Sequence, residues 1–145
     1  MSSAKGTRRK PLGKAEYEQL AALRYGLRRF LRFSEGAARS VGLTPNQHQA
    51  LLAIKGFPGR DRITNGELAE RLQIKHHSAV GLANRLEALG LIKRERGETD
   101  RRRVYLALTP RGARLIERLS AAHRDELMRV APQLTATIES LKEDV

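Results

Sequence analysis

The sequence predicts a mainly α-helical fold with a small β-hairpin wing: a winged helix-turn-helix set between long N- and C-terminal helices. Three observations predict it. Apolar residues recur at three- and four-residue spacing along much of the chain, the period of helices with one buried stripe. Helix starts are written into Thr44-Pro45-Asn46-Gln47, Thr64-Asn65-Gly66-Glu67 and Thr109-Pro110, where Thr caps, Pro fits the first turn and Gln or Glu closes a capping box. At Val104, Leu106 and Leu108, alternating with Tyr105 and Ala107, the period drops to two, as in a half-buried strand.

Taken in order, residues 1–13 (MSSAKGTRRKPLG) are polar, basic and broken by Gly6, Pro11 and Gly13, and are expected to form a disordered arm, either a solvated tail or a DNA-contacting one. The remainder, 14–145, reads as a single domain with end helices over 14–42 and 111–145 and a lobe over 44–110. Tyr17, Leu20, Leu23, Leu27, Phe30, Leu31 and Ser34 stripe the first helix, which Gly42 ends. The second runs from the Thr44 cap through Ala50, Leu51, Leu52 and Ile54 to Gly56, apolar enough to be central. After the turn-rich Phe57-Pro58-Gly59-Arg60-Asp61, a short helix turns Leu68, Ala69 and Leu72 inward. Gln73-Ile74 then leads to a helix carrying Val80, Leu82, Ala83, Leu86 and Leu89, closed by Gly90. Short helix, tight turn and second helix make a helix-turn-helix. Extended runs over Leu91–Arg96 and Arg103–Leu108 enclose the turn Gly97-Glu98-Thr99-Asp100-Arg101-Arg102. A helix over Arg111–Val130 follows, expected to break at Pro132 before a last short helix with Leu134, Ile138 and Leu141.

Composition narrows function. A net charge of +12 on 145 residues favours a polyanionic partner, nucleic acid before membrane. The charge is uneven: residues 1–14 hold Lys5, Arg8, Arg9, Lys10 and Lys14 with no acid, whereas 115–145 hold six acids against four bases. Without cysteine there is no disulfide, thiolate catalysis or zinc–cysteine site. No run approaches the ~18 apolar residues of a membrane span, and no secretory signal is present, so a cytoplasmic location is expected. The four histidines are scattered, and neither a glycine-rich phosphate loop nor a G-x-S-x-G turn occurs, which argues against an enzyme. Neither a cofactor nor a metal is expected; adjacent His76 and His77 point about 100° apart on a helix and lack a third ligand.

The second helix of a helix-turn-helix enters the major groove by its N-terminal residues, here Lys75, His76, His77 and Ser78, with Ala79 suited to a thymine methyl. Asn84 and Arg85 lie further along; Asn can bind an adenine edge, and Arg85 suits a guanine edge or a phosphate equally. The hairpin adds Arg94, Arg96, Arg101, Arg102 and Arg103. A tip needs only a polar turn, so three consecutive arginines are either a solvated charge run or, the sharper reading, a wing laid along the backbone with one guanidinium in the minor groove. Asp100, two residues from Arg102, can accept its hydrogen bond and fix its direction.

The run Asp100-x-Arg102, then Val104-x-Leu106-x-Leu108-Thr109-x-x-Gly112, resembles the wing and following helix of MarR-family transcriptional regulators. The likeness extends upstream through Leu68-Ala69, Val80, Leu86-Glu87 and Leu89-Gly90-Leu91-Ile92-Lys93-Arg94, and in element order covers residues 15–145. The resemblance implies a homodimer built by the terminal helices, binding a pseudo-palindromic double-stranded DNA operator, commonly as a repressor released by a small, often phenolic, anionic ligand. The apolar stripes agree, since three striped end helices exceed what one small lobe needs; a two-fold dimer would set its reading helices roughly 34 Å apart. The family's pocket lies between dimer helices and lobe, which makes Arg24, Arg28, Arg32, Phe33 and His48 ligand candidates by position. His123 reads as an ordinary helix-face residue. A DNA binder that senses no ligand, and a winged helix used for protein contacts, are the competing readings.

Overall fold

The computed structural model describes residues 10–143. Of the basic arm, residues 1–9 lie outside that range, and residues 10–13 are exposed and irregular. In chain order the elements are α1 (Lys14–Ser40), α2 (Pro45–Lys55), β1 (Arg62–Ile63), α3 (Asn65–Leu72), α4 (His76–Ala88), β2 (Ile92–Arg96), β3 (Val104–Leu108) and α5 (Pro110–Glu143). The strands form one antiparallel sheet in the order β1-β3-β2, with Arg62 opposite Ala107 and Arg94 opposite Leu106.

Both capping boxes are formed. The Thr44 and Thr64 hydroxyls accept from the backbone N–H of Gln47 and Glu67, whose side chains accept in return from the threonine N–H groups. Thr109 caps α5, its Oγ1 accepting from Gly112 N at 3.1 Å. At Gly112 a Cβ would stand 2.0 Å from the Leu91 carbonyl oxygen, so only glycine lets α5 start against the connection from α4 to β2. Gly90 closes α4 with φ of 71°.

The core sits in the lobe, where Leu51, Ile54, Ile63, Leu68, Leu86, Leu91 and Leu106 are fully buried. Three expectations need correction, and one strand lies where none was expected. Pro132 does not break α5, which runs unbroken to Glu143. Pro132 is exposed, so the Met128 carbonyl it leaves without a donor lies on the outer side, while Leu134 packs over Gly26 of α1 and holds the next turn in line. The stripe of α1 divides into two faces: Leu23, Phe30 and Ser34 turn inward, whereas Tyr17, Leu20, Leu27 and Leu31 are exposed. Leu52 and Leu89, placed with the core by spacing, face outward. And β1, too short to alternate, was not foreseen; it exists by pairing with Ala107 and Leu106.

Candidate nucleic-acid interface

The turn between α3 and α4 is closed by Gln73 in the left-handed region, φ 53°, with its amide donating to the Glu70 carbonyl at 2.7 Å. That compact turn sets α4 across α3 and leaves Lys75, His76, His77 and Ser78 exposed at its head. Unlike α2 and α3, α4 starts at a residue, Lys75, whose side chain makes no capping bond. The first-turn N–H groups, which no helix satisfies internally, are thus open to an anion beside the lysine. The sequence signal for it is a lysine at the N-cap where the two preceding helices have threonine. Ala79 is a correction: it is fully buried, packed in the lobe, and cannot meet a thymine methyl.

At the wing, the turn is tight enough that a Cβ on Gly97 would lie 2.4 Å from the Asp100 carbonyl oxygen. Arg103 N donates to that oxygen at 3.1 Å and Gly97 N to the Arg103 carbonyl at 2.9 Å. Asp100 Oδ1 accepts from Arg102 twice, from the backbone N at 3.0 Å and from Nε at 3.4 Å. The Arg102 side chain is nevertheless 95% exposed, so the carboxylate steers its root and leaves the guanidinium's outer nitrogens free. Arg101 and Arg103 are exposed beside it, and Arg96 donates to the Arg101 carbonyl at 3.3 Å.

The other predicted DNA contacts separate. Asn84 and Arg94 are joined: Arg94 Nη2 donates to Asn84 Oδ1, and Nη1 to Glu87 Oε1 at 3.4 Å. Arg94 therefore ties β2 to the exposed side of α4. Arg85 is exposed but folded back, Nε donating to the Gly81 carbonyl at 3.3 Å.

The five ligand candidates do not converge. Arg28 and Arg32 line an open groove of about 560 Å³ along α1 with Leu31, Glu35 and Arg39, and Arg24 is exposed elsewhere on that helix. Phe33 and His48 belong to an aromatic cluster around His123, in which only His48 is fully buried. The His48 and His123 ring centroids are 4.7 Å apart, and Phe30 and Phe33 meet His123 edge-on at 5.9 and 5.4 Å. His123 Nδ1 is 2.6 Å from the Leu119 carbonyl, so it must carry the hydrogen, and the Ser34 hydroxyl donates to Nε2 at 2.8 Å when the ring is neutral. Burial first, and His123 second, hold His48 below the ordinary histidine value. Among the described residues no group of three acidic or histidine side chains is placed to hold a metal ion.

A helix-turn-helix with an open helix head, a hairpin wing tipped by an oriented arginine, and long flanking helices define a winged helix-turn-helix regulator. Residues 41–103 match the family described as the MarR family. The chain is 33% identical over 128 residues to a putative transcriptional regulatory protein for the hcr operon of Thauera aromatica, covering 79% of this chain and 75% of that one. A MarR-family protein from Bacillus stearothermophilus has the same fold, with a TM-score of 0.73 at 22% identity over 92% of this chain and 95% of that one. A variant of MepR from S. aureus, solved bound to an oligodeoxyribonucleotide, aligns at a TM-score of 0.64 and 22% identity over 88% and 91% of the two chains. The chain belongs to the MarR family, a family of transcription regulators and not of enzymes.

Proposed function

We propose that the protein is a homodimeric regulator that binds a pseudo-palindromic double-stranded operator, the head of α4 in the major groove and Arg102 in the minor groove, and represses until a small anionic ligand releases it. One observation carries the DNA reading: an arginine at the wing tip, almost wholly exposed yet directed by Asp100. A solvated charge run needs no such partner. Residues 75–109 also carry eight basic against four acidic side chains, the balance expected of a surface that follows phosphates. The fold neighbour from S. aureus, seen with an oligodeoxyribonucleotide, supports this use of the fold. Support for the dimer comes from the exposed Leu20, Leu27 and Leu31 of α1 and Leu127, Met128 and Ile138 of α5. Release by a ligand rests on less, the Arg28–Arg32 groove, where guanidinium forks suit a carboxylate. Working on DNA, the protein would act in the cytoplasm.

Selection of bound duplexes from a random pool, repeated with aromatic acids, tests the whole reading. A two-fold symmetric motif is expected, with log affinity falling against log salt by about 0.9 per phosphate contacted. A flat salt response rejects DNA binding; a motif bound equally with every acid rejects release by aromatic acids and leaves a constitutive binder.

A further inference from the structure

Strand β1 pairs with β3 only as far as Leu106, so the hairpin loses its third strand at Tyr105, two residue pairs before the turn. Beyond that point the wing is two strands, free to swing unless something braces it. Tyr105 is where a brace is found. The Arg62 guanidinium lies 4.3 Å from its ring centroid and that of Arg60 5.6 Å. Arg60 in turn stacks on Phe57 at 4.5 Å, and both its terminal nitrogens donate to the Glu67 carboxylate, Nη1 to Oε1 at 2.8 Å. Glu67 is the residue that closes the capping box of α3. A continuous series of contacts thus runs from the head of α3 through Arg60 to the wing stem.

We propose that Arg60 is a positioning residue for the wing: forked on Glu67, stacked on Phe57 and reaching the Tyr105 ring beside the closer Arg62, it sets the angle of the hairpin against the helix-turn-helix. Arg94 braces the opposite strand by its bonds to Asn84 and Glu87 of α4. With both struts in place, Arg102 and the head of α4 reach DNA in one fixed register. The loop that supplies Arg60 needs only polar residues for its turn, whereas a planar fork is what can bond a carboxylate and lie on a ring at once. The proposal rests on the DNA reading given above, and its test has a part that does not.

Three variants test it: Arg60→Lys, which keeps the charge but loses fork and stack, Tyr105→Leu, which removes the ring, and Tyr105→Phe, which restores it. In the DNA-free protein, backbone order parameters over residues 97–103 should fall in the first two and hold in the third. Affinity for a selected operator should drop about fivefold in Arg60→Lys and Tyr105→Leu, the size of coupling expected between interacting sites, and recover in Tyr105→Phe. In an Arg102→Ala background the same two changes should cost less than about twofold, because the group they position is gone. Unchanged order in the free wing overturns the brace, as does an equal loss in both backgrounds. If Tyr105→Leu fails to fold, Arg60→Lys at the partly exposed surface carries the test alone. Should Arg102→Ala itself leave affinity unchanged, the wing's role on DNA fails, and the order parameters still decide whether Arg60 holds it.

Discussion

The lobe and the paired end helices solve the problem of burial differently. In the lobe, residues from α2, α3, α4 and all three strands meet in a core where Leu51, Ile54, Ile63, Leu68, Leu86 and Leu106 are fully buried. Along α1 and α5 almost nothing is: α1 buries only Ser34 and Ala38, and α5 nothing beyond Leu119, although these helices are 27 and 34 residues long. Their leucines face out instead. A protein that hid its own apolar surface in one region and left it open in the other would be half designed if it worked alone; in the proposed dimer a second copy would finish the helices, whereas the lobe is complete by itself. On that proposal the terminal helices would specify assembly, while the lobe would specify the shape presented to DNA.

The largest effect should follow from a charge on the open face. Leu27→Asp puts a carboxylate where the paired copy would bury it, at a cost of several kcal/mol without a partner. Sedimentation at micromolar concentration should show monomer, and operator affinity should fall by about 100-fold or more, since two linked heads gain that much over one. Amide protection in β3 should persist. An unchanged dimer would place the interface elsewhere.

Next comes the contrast between two leucine truncations. Leu106→Ala in the sheet centre should cost about 2–5 kcal/mol of unfolding free energy whatever the protein concentration. Leu127→Ala, on the exposed side of α5, should instead cost little at low protein concentration and more as concentration rises, because its loss is felt only in the dimer. Denaturant titrations at two concentrations separate them; equal behaviour would erase the distinction between the regions.

Smaller again is the wing tip. Arg102→Ala should weaken operator binding by roughly 1–3 kcal/mol with the dimer intact. Asp100→Ala should lose nearly as much although it removes a negative charge, because the guanidinium loses its direction. Tighter binding in Asp100→Ala would make simple repulsion the better account of that carboxylate.

Local chemistry was the legible part. Capping boxes are decided within four residues, and the Asp100–Arg102 bond within three, so both could be read from sequence and both are formed. What could not be read depends on how elements meet. Helical spacing alone could not say which side of α1 faces α5, nor that Ala79 turns into the lobe, nor that Pro132 falls on an outer side where a missing donor is tolerated. Arg94 looked like one more basic residue in a wing; ten positions separate it from the Asn84 it holds, across two different elements. The Arg60–Tyr105 contact spans more than forty residues and uses a ring and a cation that no local pattern links.

The smallest predicted effect lies at the junction of the two regions. His48 belongs to α2, is 2% exposed, and meets His123 of α5, which is bonded to Ser34 of α1. Burial, then the neighbouring histidine, lower its pKa from 6.5, so the folded protein resists a proton that the unfolded chain accepts. Above pH 6.5 both states keep the ring neutral and its contribution to stability is intact. As pH falls below 6.5 the unfolded state binds the proton first, and stability declines towards the folded-state value, by at most about 1.4 kcal/mol per pH unit for one proton. The lowered carboxyl of Glu67, held chiefly by Arg60, adds its own loss only near and below 4.5, leaving the interval from pH 6.5 to 5 largely to histidine. Denaturant unfolding at pH 8, 6.5 and 5 should therefore show a decline that His48→Asn flattens. Equal slopes in the two proteins would mean that His48 takes up its proton in place, and that the junction between lobe and helices is open enough to let it.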